Sequence, residues 1–449
     1  MVNDSAPAVR LRVITRDIDP IDGVDDLLAV TDPQDPTVWS RRGDVLVARG
    51  RAAEFGSVDG ADGAHGAREV SAWWRDIVAA AEVDDPVGLP GTGLVAFGAL
   101  PFDVRADVRR AGPAPTSFFV PRVIVGRRGA RSWVTTIVDA TSDAQVDAEA
   151  DAAAAPPERV GFGPHWSATV GPGALTPDAY QRAVRAGIDA IDDGEVEKVV
   201  LARDLAGTVP ADADLRRLVR ALSSSYPDTW AFAVDGLIGA SPETLVTVSH
   251  GTVTARVLAG TIARGADADA DTAASLSLAT SAKDLDEHGY AVRSVLEALR
   301  PSTSSLVAGE QPFMLKLPNV WHLATDVEGE LAGDASSLDL VAALHPTAAV
   351  AGTPTVAALD VIRRLEPFDR GRYAGPVGWI DARGDGEWAI ALRCAQFHLE
   401  ARPDAASPTA AAPIPFTAYA GAGIVAASDP ESEMLETRVK FRPIVDALA

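Results

Sequence analysis

Residues 230–258 read WAFAVDGLIGASPETLVTVSHGTVTARVL. Four apolar runs, Trp230–Val234, Leu237–Ala240, Leu245–Val248 and Val253–Leu258, follow one another at hairpin-like spacing, which predicts antiparallel sheet. Upstream, Thr176 suits a helix N-cap and Pro177 the first helical position. Tyr180, Val184, Ile188 and Ile191 then form one apolar stripe. Lys198-Val-Val-Leu-Ala-Arg203 reads as a strand with Lys198 and Val200 on one side and Val199 and Leu201 on the other. A short helix through Leu215, Leu218, Val219 and Leu222 separates it from the four runs. Strands interleaved with a few long helices, without strict βαβ alternation, predict an α+β fold.

The chain has 449 residues, 47% hydrophobic and 23% charged, enough to bury a large core. A formal charge of −23 argues against a nucleic-acid partner, because neutralising phosphates takes clustered Lys and Arg. An anionic small molecule would need local positive charge from a metal ion, a few basic side chains or backbone N–H groups. The lone cysteine, Cys394, excludes an internal disulfide framework, and charges break up the N-terminus, leaving no signal-peptide core. No apolar run approaches membrane-spanning length, so a soluble cytoplasmic protein with no membrane partner is expected. Lysine is scarce. Only Lys198, Lys283, Lys316 and Lys440 occur in a chain that otherwise uses arginine, and a lysine, unlike an arginine, can lose its proton near neutral pH.

Three Ala/Asp/Pro-rich stretches, Asp143–Glu158, Arg264–Ala274 and Arg402–Pro415, read as linkers or loops. The first divides residues 1–160, a mixed region expected to complete the fold, from residues 161–449, where the motifs lie. Within the first part Trp73-Trp74 reads as core.

Two helices carry carboxylate pairs. Asp284 and Glu287, three apart, project from one face, and Glu433, Glu436 and Lys440 form one stripe. Four such oxygen donors on facing helices suit Mg²⁺, which keeps several waters and takes one or two carboxylates directly. Either pair alone is more often an ordinary solvated face, and Glu436–Lys440 an ordinary i,i+4 ion pair. Phe416-Thr-Ala-Tyr-Ala-Gly-Ala-Gly-Ile-Val425 imitates half a dinucleotide fingerprint, but Ser428-Asp429-Pro430 interrupts the helix such a site needs. A strand-end loop whose bare N–H groups approach a carboxylate fits better. Arg372–Trp379 and Glu387–Arg393 look like a hairpin joined at Gly384-Asp-Gly386, with Arg393 ending an apolar strand, where a buried cation needs an anion. His322 and His345 read singly as core or loop histidines, and Ser241-Pro-Glu243 as a turn.

Together these segments resemble the chorismate-utilising enzymes: the anthranilate, aminodeoxychorismate, isochorismate and salicylate synthases. Lys198–Arg203, Ser241–Glu243, Leu258–Thr261, Lys283–His288, His345–Gly352, Arg370–Trp379, Ala391–Arg393 and Ala420–Lys440 run in the family's order. The resemblance implies a large α+β domain with helices flanking antiparallel sheets around a central cleft. It also implies Mg²⁺ held directly by Glu287 and Glu436, with Asp284 and Glu433 assisting through water. Asp284 is shorter than the Glu of several relatives. The metal, Lys440 and the N–H groups near Gly421 and Gly423 would hold the ring carboxylate of chorismate. Tyr373 and Arg393 would clamp its enolpyruvyl carboxylate, and Gly260 and Thr261 would line the ring with His322 nearby.

Within that family the residues favour isochorismate formation, in which water adds at C2 as the C4 hydroxyl leaves. Lys198 fits the base, burial near a metal lowering its pKa, and Glu243 the acid, desolvation keeping it protonated. Ammonia-using relatives typically carry Gln in place of Lys198, so no glutamine amidotransferase subunit is expected. Ala259 stands where aminodeoxychorismate synthases commonly place a nucleophilic lysine. Salicylate synthase, which goes on to eliminate pyruvate, is the alternative, and Ala349, where salicylate-forming members tend to carry Thr, speaks against it. The product would serve menaquinone or siderophore biosynthesis.

Overall fold

A computed structural model describes residues 10–56, 66–104, 116–140, 157–316, 320–399 and 412–449. Its strands form two sheets, of thirteen and ten strands among the described residues. Pairing is antiparallel except where Leu11–Ile18 meets Glu82–Asp84. In the first sheet the order is β3 (Lys198–Val209), β13 (Ile414–Ile424), β12 (Cys394–Phe397), β5 (Leu237–Ser241), β4 (Trp230–Val234) and β1 (Thr37–Arg41). A short β9 (Gly352–Thr353) pairs with the start of β3. The second sheet runs β8 (Val320–Leu331), β7 (Thr252–Ala263), β6 (Thr244–Ser249), β11 (Gly386–Ile390), β10 (Pro376–Asp381) and β2 (Val95–Ala99).

Apolar side chains of both sheets, among them Phe97, Phe232, Trp379 and Trp388, share one core. Strands from before residue 160 enter both sheets: β1 pairs with β4, Trp39 opposite Phe232, and β2 with β10, Gly98 opposite Gly378. Trp74 is buried in that core and Trp73 packs edge-on to Phe118.

Around the sheets lie α1 (Pro177–Asp192), α2 (Arg216–Ser225), α3 (Ala268–Ala279), α4 (Ala282–Leu299) and α5 (Pro430–Ala447). The Thr176 hydroxyl caps α1 as expected, accepting from Ala179 N. Of Arg264–Ala274, read as a loop, residues 264–267 form one, while the residues from Ala268 onward open α3. The Asp267 carboxylate accepts from Ala270 N, and the alanines that follow are strong helix formers. Most of Asp143–Glu158 and Arg402–Pro415 lies outside the described residues, while Ile414 and Pro415 already belong to β13. Among the described residues no helix is long and apolar enough to cross a membrane.

The four runs of the opening stretch are β4 to β7, but they divide between sheets. The chain leaves the first sheet after β5 and enters the second at β6, across Pro242-Glu243. It returns from β11 to β12 across Ala391-Leu392-Arg393. These two crossovers lie side by side: Ser241 Oγ donates to Ile390 O at 2.6 Å, and Ile390 N to Glu243 O at 3.1 Å. The central cleft that the resemblance implies would lie here, where paired strands part into separate sheets.

Candidate active site

Glu243 sits in the outgoing crossover, its N–H donating to Ser241 Oγ at 3.2 Å and its carbonyl accepting from Ile390 N, and Arg393 lies in the returning one. The sequence reading put Arg393 at the end of a strand. It lies beyond β11, in a left-handed conformation (φ 51°), with its carbonyl accepting from Ala240 N at 3.2 Å. That backbone, disfavoured for a residue with a side chain, is fixed by the pairing on either side, and the guanidinium comes within electrostatic reach of Tyr373, Glu436 and Glu243. Burial lowers the pKa of Arg393, and Tyr373 and Glu436 offset it. Burial raises the carboxyl of Glu243, opposed by the charges of Lys440, Lys198 and Arg393. These basic side chains therefore gather around one carboxyl that burial favours in its protonated form.

Lys198 opens β3 opposite Thr353, and its chain runs past Gly423. A Cβ at Gly423 would stand 3.1 Å from Lys198 Cε, so the missing side chain leaves its path open. The glycine segment is not the strand-end loop expected. It is the last part of β13, paired residue by residue with β3, Gly421 opposite Ala202 and Gly423 opposite Val200. Glycine is needed there for close packing, since a Cβ at Gly421 would lie 2.9 Å from Leu201 O. Val200 N donates to Ala351 O and Ala202 N to Glu366 Oε1, both away from β13. In an antiparallel pair the residue opposite then also turns its groups outward, so Gly421 and Gly423 aim N–H and C=O off the far edge of β13. Lys440 meets them there, its Nζ donating to Gly421 O at 2.8 Å.

Ser428-Asp429-Pro430, read as an interruption, starts α5: the Asp429 carboxylate accepts from Ser432 N at 2.9 Å. One face of α5 carries Glu433, Glu436 and Lys440. Lys440 Nζ is 2.6 Å from Glu436 Oε1, and Ser428 Oγ donates to Glu433 Oε1 at 2.7 Å. Burial raises the Glu433 carboxyl; Ser428 opposes this and the charge of Glu436 adds to it. Tyr373 is buried just before β10 and stacks on Tyr419 (5.2 Å, 22°), burial pushing its hydroxyl up.

Across the cleft, β7 carries a bulge. Its register against β8 shifts between Ala259 and Thr261, and Gly260 takes φ 78° there, a conformation that suits glycine. His322 lies on β8 opposite Thr261. Burial lowers its pKa to about 4; a hydrogen bond with the Gly260 backbone opposes this, and Lys440 and Arg393 add to it. Electrostatic contact between His322 and Lys440, Arg393 and Glu436 joins the two walls. Asp284 approaches the same bulge from α4, its Cβ 3.4 Å from where a Gly260 Cβ would stand. The side chains of Thr261 and Glu287 lie outside the described part of the structure. Among the described residues no three His, Cys, Asp or Glu side chains form a group fit to hold a metal ion. Ala349 is exposed on the turn just before the segment that pairs with the start of β3. His345 is a structural histidine, its Nε2 donating to Phe102 O at 2.9 Å.

Three supporting residues escaped the sequence reading: Ser428, Tyr419, and Glu366, whose buried pair with Arg370 (2.6 Å) also binds β3 at Ala202 N and Val200 O. The i,i+4 spacing of Glu366 and Arg370 was the available signal for that clip.

The sequence matches the family described as chorismate binding enzyme over residues 4–449. It is 39% identical over 284 residues to the isochorismate synthase DhbC of Bacillus subtilis (strain 168), 61% of this chain and 68% of that one. With the isochorismate synthase MenF of the same organism it shares 35% over 278 residues, covering 61% and 56%. In structure it resembles the menaquinone-specific isochorismate synthase MenF from Escherichia coli, with a TM-score of 0.75, 24% identity and 98% and 95% of the two chains covered. This last likeness establishes the fold.

Proposed function

The chain belongs to the chorismate-binding enzyme family, and we propose that within it this protein isomerises chorismate to isochorismate. The observation that carries the reading is the gathering of Lys198, Lys440 and Arg393 around Glu243 at the point where the chain changes sheets. Lys198, in its neutral form, takes a proton from the water that attacks C2. Glu243, kept protonated by burial, gives its proton to the C4 hydroxyl, which leaves as water while the ring double bonds shift. Proton return from Lys198 to Glu243 closes the cycle, and no atom other than those of water is exchanged. Arg393 and Tyr373 hold the enolpyruvyl carboxylate; Lys440 and the N–H groups of Gly421 and Gly423 hold the ring carboxylate. Gly260, Thr261 and His322 shape the ring's other side, and Ala349 leaves room beside it.

Magnesium suits the two carboxylate pairs by the chemistry of their donors. Asp284, Glu287, Glu433 and Glu436 offer only carboxylate oxygens, and the charge of Glu436 already burdens Glu433, a repulsion a cation relieves. Glu287 and Glu436 would ligate directly, with Asp284 and Glu433 acting through water. Bound there, the ion supplies positive charge that anchors a substrate carboxylate. The reaction draws on water alone, so no amidotransferase subunit is required, and it takes place in the cytoplasm.

The test is chromatography of the products of chorismate, Mg²⁺ and purified protein without ammonia or glutamine. Isochorismate rising to a plateau beside residual chorismate is the expected result. Stoichiometric salicylate and pyruvate would identify a lyase instead, and turnover only with added ammonia would remove the role given to Lys198.

A further inference from the structure

Helix α4 is seated in an unusual way. Among its described side chains from Ala282 to Ala298, only His288 is buried; its apolar residues, such as Leu285, Val292 and Leu296, are half-buried. A helix on a sheet is normally fixed by a fully buried apolar stripe. Here the fixed point is an imidazole. His288 Nδ1 lies 3.1 Å from Ala259 O and Nε2 2.8 Å from Thr325 Oγ1. A carbonyl oxygen only accepts, so Nδ1 carries a proton and donates to it. One ring thus joins α4 to both strands beneath, to β7 on one side and β8 on the other.

The place of this joint matters more than its existence. Ala259 is the residue before Gly260, so the carbonyl that His288 takes belongs to the bulge facing the cleft. One helical turn earlier, Asp284 touches the same bulge. Glu287 lies on the helix between these two contacts. Further along α4, Val292, Val295 and Leu296 rest half-buried against the core and Leu299 is buried, whereas at the bulge itself the contacts come from His288 and Asp284.

We propose that His288 is a positioning residue: by bonding Ala259 O and Thr325 Oγ1 it sets the rotation of α4, the helix on which the magnesium candidates Asp284 and Glu287 lie, and so governs magnesium affinity. The proposal rests on the magnesium reading above. His288 itself touches neither metal nor substrate. A histidine that merely filled the core would contribute stability and leave cation affinity alone, and this separates the two roles.

The test is a thermal-shift titration of the full chain with magnesium chloride, comparing wild type, His288→Ala, His288→Asn and Glu287→Gln. Asparagine replaces the Nδ1–H donor with an amide N–H, so it can still reach Ala259 O. Loss of groups that orient metal ligands weakens metal affinity about ten- to a hundredfold. His288→Ala should therefore need about ten times more Mg²⁺ for the same rise in melting temperature, with His288→Asn recovering most of the difference. A lowered melting temperature in His288→Ala with the wild-type Mg²⁺ dependence would overturn the proposal. Glu287→Gln separates the two possible failures. If it loses the Mg²⁺ response while His288→Ala keeps it, the metal reading stands and the proposal falls. If it responds like wild type, the metal reading itself fails and the proposal with it. Should His288→Ala not fold, Thr325→Val, which removes only the hydroxyl, must shift the Mg²⁺ requirement in the same direction; an unchanged requirement would count against the proposal equally.

Discussion

On the wall built from β3, β13 and α5, acidic and basic side chains crowd together: Lys198, Glu433, Glu436 and Lys440, with Arg393 and Glu243 at its edge. On the opposite wall, from β7, β8 and the start of α4, the groups closest to the cleft are a glycine bulge and His322, which burial keeps neutral. The first wall does its work by charge and the second by shape. A chain with a net charge of −23 makes this division informative. It concentrates cations at one place, fixes them by backbone and carboxylate partners, and faces them with a glycine bulge and a neutral imidazole, so that the charge of the second wall is confined to the carboxylates of α4.

If that division holds, substitutions on the charged wall and at its edge act on the chemical step. Lys198→Ala and Glu243→Gln should each lower kcat by about a hundredfold to ten-thousandfold, read from initial rates at saturating chorismate, since each removes one partner of an acid–base pair. A variant with near-normal kcat would break the comparison outright.

Gly423→Ala is a sharper version of the same test. The added methyl meets only the flexible end of Lys198, so the fold should tolerate it with a nearly unchanged melting temperature. Misplacing the base should still lower kcat by about tenfold, because small shifts of a reacting group are costly. A loss confined to KM would show that the space serves the substrate and not Lys198.

Charge on this wall should also be visible as pH dependence. Glu243 acts in its protonated form, so kcat falls as pH rises through its raised pKa. Lys440 is the largest of the charges holding that pKa down. Replacing it in Lys440→Gln should move the falling limb to higher pH; movement to lower pH would contradict the arrangement described.

On the second wall, at His322, the corresponding effect is on stability. His322 has a folded pKa of about 4 against 6.5 unfolded, so its contribution is complete above pH 6.5 and is lost as pH falls through 4. The slope is at most about 1.4 kcal/mol per pH unit from one such group. Chemical denaturation between pH 7 and 4 should show His322→Asn flattening this decline, while an identical slope would mean that the ring is already charged.

The strands and helices that carry the charged wall were readable because their periodicity is local: the stripes of α1 and α5, the runs of β4 to β7, the start of β3. What eluded sequence reading was set by long-range pairing. The step from one sheet to the other at Pro242-Glu243 looked like a turn within one sheet, because hairpin spacing does not reveal which sheet each strand joins. Gly421 and Gly423 suggested a loop, since glycine's freedom is visible in sequence but the closeness of Leu201 O is not. Arg393 appeared to end a strand because the crossover bond to Ala240 spans more than a hundred residues. His288 stood within a recognised block, yet its partners Ala259 and Thr325 lie on two different strands.

The central claim is that Lys198 delivers water to C2 while Glu243 releases the C4 hydroxyl, and an oxygen-18 label tests it most directly. Chorismate converted in H₂¹⁸O for less than one equilibration should yield isochorismate with one ¹⁸O, located at C2 by mass spectrometry. Isochorismate free of label would mean that the substrate's own hydroxyl migrates. Lys198 would then have no water to deprotonate, and the division of labour between the two walls would have to be redrawn.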